Sequence, residues 1–257
     1  MKPSLITLTT DFGTTDGYVG AVKGSILSIH PKVRLIDLSN DIPSYDIVVG
    51  AFHLGCSFSF FPKKTIHLAV VDPGVGSARR PILVVTKNYF FVGPDNGLFT
   101  LAAQRDPIRA IYELTDKKFF RFEVSSTFHG RDLFGPVAAH LARGVPPSRF
   151  GKRRPTMKLL PDFSVEKSPR GLRGTLLFFD KFGNAFSNIH RSFIKNRFQV
   201  VCGRKKIPLY RTYSEIPRGI PGAIFGSSGF LEIALREDSF QKRHNASRGE
   251  QILLKKE

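Results

Sequence analysis

The chain reads as an α/β protein, an N-terminal α/β domain with a mainly parallel sheet followed by a smaller C-terminal antiparallel β-barrel. Three observations predict this. Through the N-terminal half, apolar runs of strand length alternate with longer stretches of helical period. Beyond about residue 170 the apolar runs are short and separated by turn residues, the pattern of a small barrel or sandwich. Between the two, Val145 to about Arg170 is rich in Pro, Lys and Arg and has little periodicity. The expected division is an N-terminal domain over 1–150, a linker over 151–170 and a barrel domain over 171–257.

Taken in order, Ser4 to Thr9 is the first strand. Asp16 to His30 spaces Val19, Val22, Ile26 and Ile29 three or four apart and meets Pro31, so it is a helix with a stop. Val33 to Leu38 is a strand and Tyr45 to Phe60 a second helix, ending before Pro62. The continuous apolar run Thr65 to Val71 suits a strand buried on both faces. Ile82 to Thr86 and Tyr89 to Val92 are two more strands, and Gly135 to Arg143 is a helix closed by Gly144. In the second half, strands are expected at Gly174 to Phe179, Phe198 to Cys202, Ile207 to Tyr213, Ala223 to Phe225 and Phe230 to Leu235. The last twenty residues are charged and are expected to fray.

Bulk properties limit the function. With 257 residues and 41% hydrophobic content the chain buries a sizeable core. Two cysteines, Cys56 and Cys202, make no disulfide framework, and the short apolar start is no signal segment or membrane span. A cytoplasmic protein is expected. The net charge of +18 raises a nucleic-acid-binding reading, yet the basic residues are spread, with short clusters at Lys152, Arg153, Arg154 and at Arg204, Lys205, Lys206. A solubilising surface is the simpler reading.

Five segments put acids, amides or His beside glycines: TTDFGTTDGYVG at 9–20, DPGVGSARR at 72–80, GPDNG at 93–97, FHGRD at 128–132 and FDKFGNAFSN at 179–188. The first two follow predicted strands, whose carboxyl ends are where ligands bind in open α/β sheets. Asp11 can accept from both hydroxyls of a ribose, or it can simply cap the turn. DPGVG has neither the GxGxxG order nor a GK[ST] ending, so no dinucleotide loop or P-loop is predicted. Asp72, Arg79 and His129 together could orient a water and take its proton; the alternative is a structural ion pair beside a hydrogen-bonded His. A metal site of Asp11, Asp72, Asp132 and His129 is a weaker reading, because no HxxxH, HxH or CxxC spacing accompanies it.

The ordered set TTDFG, DPGVGSARR, GPDNG, TFHGRD, FDKFGN and SSGFLEIA at 227–234 resembles the S-adenosyl-L-methionine (SAM) hydroxide adenosyltransferases, relatives of the fluorinase and chlorinase. The resemblance runs from about residue 5 to 235. It implies an α/β domain, a C-terminal β-barrel, and a homotrimer with active sites between subunits. It further implies SAM as the small-molecule substrate, no separate cofactor or metal, and hydrolysis to adenosine and methionine. Matched by position, Asp72, Arg79 and His129 are its water-activating set and Asp11 its ribose ligand. Asp180 and Asn184 are the grips on the methionine end and the adenine side. Phe182 and Phe186 are aromatic ligand contacts, and Ser227 and Ser228 meet the methionine moiety. The halogenating relatives lack the Asp, Arg and His set, so halogenase chemistry is not expected. A SAM or adenosine sensor with negligible turnover is the other reading compatible with the same residues.

Overall fold

The computed structural model describes residues 5–169, 171–194, 197–203 and 205–256; Ser4, Arg170 and Arg204, named above, lie outside the described residues, as do both ends of the numbered chain. The chain divides into two compact units, Met1–Leu160 and Pro161–Glu257.

In the first unit, β1 (Leu5–Thr10), α1 (Tyr18–Ile29), β2 (Arg34–Ser39), α2 (Ile47–Ser57) and β3 (Ile66–Val70) alternate as expected. They are followed by β4 (Pro81–Thr86), β5 (Phe90–Pro94), α3 (Thr100–Arg105), β6 (Ile108–Leu114), α4 (Gly135–Ala142) and β7 (Gly151–Arg154). The strands form one seven-stranded sheet in the order β2-β1-β3-β5-β4-β6-β7. This sheet is mixed, which corrects the mainly parallel expectation: β2, β1, β3 and β5 run parallel, whereas β4, β6 and β7 are paired antiparallel. The cause is chain length. Only Lys87 to Tyr89 separate β4 from β5, and a parallel crossover needs about a dozen residues.

Central strands β1 and β3 are buried along their whole length; β3 is apolar apart from His67, and β1 sets Thr7, Thr9 and Thr10 among Leu5, Ile6 and Leu8. Val22 and Ile26 of α1 and Val137 and Leu141 of α4 close one core against Ile6, Leu8, Ile66 and Leu68. Asp46 caps α2 by accepting from the Val49 N–H at 3.0 Å. Gly55 lets Leu101 of α3 approach, since a Cβ there would sit 2.6 Å from it. The segment read as a linker carries β7 at one edge of the sheet, where Lys152, Arg153 and Arg154 keep the outermost strand charged. Among the described residues no helix is long and apolar enough to cross a membrane.

The second unit holds β8 (Glu166–Ser168), β9 (Gly171–Phe179), β10 (Ala185–His190), β11 (Phe198–Cys202), β12 (Lys205–Ile207), β13 (Gly222–Phe225), β14 (Phe230–Ala234), α5 (Phe240–His244) and β15 (Gln251–Lys256). Its eight-stranded antiparallel sheet runs β12-β11-β15-β9-β10-β14-β13, with β8 added beside β9. A bridge between Leu209 and Ala223 draws the chain after β12 against β13, so the sheet is nearly barrel-shaped. Leu176, Ile189, Val200, Leu231, Ile233 and Ile252 fill its interior.

Two expectations are corrected here. Ile207 to Tyr213 is not a strand: β12 ends at Ile207, ahead of Pro208, which has no N–H for a ladder, and Tyr213–Glu215 forms a 3₁₀ turn. The last twenty residues are not frayed as a whole, because β15 pairs with both β11 and β9 and buries Ile252 and Leu254.

Candidate active site

Parallel β1 and β3 end side by side, with Thr10 opposite Val70, so the residues that follow, Asp11 and Asp72, leave the same edge of the sheet. Asp11 accepts from the Tyr45 N–H at 2.9 Å. Burial raises its pKa; the bonds from the Tyr45 and Asp11 N–H groups oppose the rise, and the charge of Asp72 adds to it. Two residues on, Gly13 takes a left-handed φ of 68° and donates its N–H to the Asn40 carbonyl at 2.8 Å.

The loop between β3 and β4 folds back on itself. Ser77 Oγ donates to the Gly74 carbonyl at 2.7 Å and the Val75 N–H to that of Asp72 at 3.2 Å. This brings Arg79 onto Asp72. Arg79 Nε lies 3.0 and 2.9 Å from the two carboxylate oxygens and Nη2 2.5 Å from Oδ2. Their side chains are 7% and 5% exposed, so the pair is largely removed from water.

The same Nη2 is 2.6 Å from His129 Nδ1. A guanidinium only donates, so Nδ1 is the acceptor and the neutral ring carries its proton on Nε2. Burial lowers the His129 pKa, the Arg79 charge lowers it further, and Asp72 and Asp132 partly offset this. Arg79 also lies over the Phe134 ring, 5.1 Å from its centroid.

His129 opens a π-helical turn over Gly130–Phe134. Asp132, fully buried, accepts from the Ser125 N–H at 3.0 Å and from Arg131 at 2.6 and 2.8 Å, with Arg121 at 3.3 Å. Burial alone would raise its pKa, but the bonds from Arg131 and Ser125 prevail and hold it below the usual range. Asp132 thus anchors the segment before His129 and is turned to arginines. Among the described residues no three His, Cys, Asp or Glu side chains are grouped to hold a metal ion.

Asp11, Asp72 and His129 line one cleft of about 460 Å³ with Phe12, Tyr18, Tyr45 and Phe128. The rings of Phe12, Tyr18 and Phe128 meet at 5.4 to 6.1 Å. Such a cleft offers aromatic faces to a flat ring and carboxylates to hydroxyls or a cation. None of these aromatics stands out individually in the sequence, although Phe12, Tyr18 and Phe128 all sit inside its glycine-rich segments.

In the second unit, Asp180 follows β9 and organises a turn. Its Oδ1 accepts from the N–H groups of Phe182 and Asn184, both at 2.9 Å, and Oδ2 from Asn184 Nδ2 at 3.2 Å. Gly183 at φ 83° is required there, because a Cβ would meet Ser239 Oγ at 2.0 Å. Asp180, Phe182 and Asn184 share a cleft of about 740 Å³ with Tyr213, Arg236 and Glu237. Phe182 stands 65% exposed at its mouth. Phe186 stacks on Phe178 at 4.9 Å and 8°. Ser227 is exposed and Ser228 half-buried in the turn before β14.

Sequence reasoning missed the bond from the Tyr213 hydroxyl to Glu232, a residue of β14 only 3% exposed. Burial raises the Glu232 pKa and Asp180 adds to the rise, against the bond from Tyr213. The Tyr213 hydroxyl is pushed up by burial and by Glu232. The signal was a lone acid within the apolar run FLEIA.

Residues 6–151 match the family of SAM hydroxide adenosyltransferase N-terminal domains, and residues 174–253 the corresponding C-terminal domain. The chain is similar to a Thermus thermophilus protein named (R)-S-adenosyl-L-methionine hydrolase, 37% identical over 254 residues that cover 95% of this chain and 97% of the relative. A Methanocaldococcus jannaschii protein of the same name is 34% identical, with 94% of this chain and 92% of the relative covered. Among solved structures, an uncharacterized conserved protein from Thermotoga maritima superposes with a TM-score of 0.88 at 31% identity, covering 98% of this chain and 100% of that one. Both domain families match in order and together span most of the sequence, so the chain belongs to the SAM hydroxide adenosyltransferase family.

Proposed function

We propose that this protein hydrolyses S-adenosyl-L-methionine to adenosine and L-methionine. One observation carries the reading: Arg79 joins Asp72 to His129 at the edge of a cleft that also presents Asp11. The names of relatives at 34 and 37% identity over nearly the whole chain support it.

In this reading a water oxygen attacks C5′ of the ribose in line with the C5′–S bond. The O–C5′ bond forms, the C5′–S pair leaves on sulfur, and the sulfonium becomes the neutral thioether of methionine. The water's proton must be taken up. Because the Nδ1 lone pair of His129 faces Arg79 and Nε2 bears a proton, the neutral imidazole is a donor to the water and Asp72 is the base. Arg79 bonds to both the Asp72 carboxylate and His129 Nδ1 and so fixes both partners. Charge vanishes as attack proceeds, so a site poor in water favours the transition state, and alignment can supply up to about 7 to 11 kcal/mol. This balance calls for no further cofactor.

Asp11 takes the ribose hydroxyls. Asp180, Asn184, Phe182, Phe186, Ser227 and Ser228 take the adenine and methionine ends. Asp72 also argues against a halogenase, since a carboxylate at the nucleophile's position repels halide while it accepts from water. We further propose a cytoplasmic homotrimer with active sites between subunits; its trimeric mass would be checked by light scattering.

The test is incubation of the purified protein with SAM, with and without chloride and chelator, followed by chromatographic separation of adenosine, halogenated adenosine and methionine. Adenosine and methionine in equal amounts, insensitive to chelator and reduced about 10²- to 10⁴-fold in Asp72→Asn, are expected. Saturable SAM binding without turnover would instead make the protein a sensor.

A further inference from the structure

The GPDNG segment at 93–97 has no part in the chemistry above, yet it touches the loop that does. Loop 71–80 carries Asp72 near one end and Arg79 near the other, and its two feet are Val71, after β3, and Arg80, before β4. Both feet are held by consecutive residues leaving β5. Asn96 Nδ2 donates to the Val71 carbonyl at 2.8 Å, and its Oδ1 accepts from the Leu98 N–H at 3.2 Å, which fixes the orientation of the amide. The Asp95 N–H donates to the Arg80 carbonyl at 2.9 Å. Its carboxylate, 1% exposed, accepts from Arg80 Nε at 2.9 Å and from Nη2 through Oδ2, and from the Lys158 N–H at 2.7 Å through Oδ1.

We propose that Asp95 and Asn96 are positioning residues for the water-activating pair, bracing loop 71–80 at the residue before Asp72 and the residue after Arg79. The proposal rests on the hydrolase reading above. Two bonded carboxylate and guanidinium groups set their mutual distance by themselves, but their place relative to C5′ of a substrate depends on where the loop is held. The brace supplies that reference by tying both feet to one rigid strand end. Misplacement of reacting groups by about 1 Å can cost about 10²-fold in rate without loosening substrate binding.

The hairpin β4-β5 contains its own control. At its opposite end Asp106, 4% exposed, accepts from the Asn88 N–H and Nδ2, both at 2.8 Å, a brace of similar make at the turn instead of the active loop. Asn96→Ala, Asp95→Asn and Asp106→Asn would be compared in the full chain for urea stability, SAM hydrolysis and the titration of His129 by histidine NMR. In the two GPDNG variants kcat should fall at least about tenfold with KM within about threefold, whereas Asp106→Asn, at comparable stability loss, should change kcat by less than about twofold.

The His129 titration should also move upward in Asn96→Ala, as Arg79 retreats from Nδ1. Should either buried variant fail to fold, Arg80→Lys, which keeps the charge and loses the fork, is expected to lower kcat alone. A kcat loss no greater than that of Asp106→Asn, or a loss carried by KM, would overturn the brace. If the wild-type protein itself does not turn over SAM, the hydrolase reading fails, and an unchanged His129 titration in Asn96→Ala would then overturn the brace separately.

Discussion

His129 and His67 show how one residue type serves two ends. His129 is held neutral by partial burial and by Arg79, so activity should persist as pH falls through the ordinary histidine range near 6.5 and decline only below it. A kcat/KM profile from pH 5 to 8 checks this; an acid limb centred at or above 6.5 would mean the imidazole is not held as described. His67, fully buried between Phe91, Tyr89 and Phe58 and bonded to Thr7 Oγ1 at 2.7 Å, has its pKa lowered to about 3 by burial. Its folded pKa is depressed below the unfolded value of 6.5, so the neutral ring's contribution to stability is complete above 6.5 and is lost as pH falls toward 3. Urea unfolding of His67→Gln should therefore show a shallower fall in stability between pH 7 and 5 than wild type, by up to roughly 1 kcal/mol per pH unit. At this scale the sequence was legible in its chemistry and not in its meetings. Asp72, Arg79 and His129 stood in suggestive segments, but fifty residues separate Arg79 from His129 and only the fold decides that they touch. Glu232 escaped notice because its neighbours in β14 are apolar.

Among the elements, loop 71–80 depends on close approach to the segment before His129. Gly76, at φ 78°, lies where a Cβ would sit 2.6 Å from the Ser126 carbonyl oxygen. Gly76→Ala should push the two segments apart and lower kcat about 10- to 100-fold while costing more than about 1 kcal/mol of stability, measured by steady-state kinetics beside thermal unfolding. Strand β3 was readable because burial on both faces leaves an apolar run interrupted only by His67. The direction of β4 was not, since periodicity carries no sign; the three-residue connection after it does. Nor was β15 readable: Gln251, Lys255 and Lys256 face water and mask Ile252 and Leu254 between them.

Over the whole molecule, two units with separate cores share one chain. The second unit relies on β15, which lies inside its sheet between β11 and β9. Deleting residues 250–256 should unfold that unit and leave the first with native-like helical circular dichroism, seen as loss of protease resistance beyond residue 160 only. The position of β15 also orders events during synthesis. The first unit has all its strands once residue 154 has left the ribosome and can fold while translation continues. The second must wait, with β9 and β11 lacking their common neighbour, until some hundred residues later the ribosome delivers it, so chaperone demand should fall on this late interval.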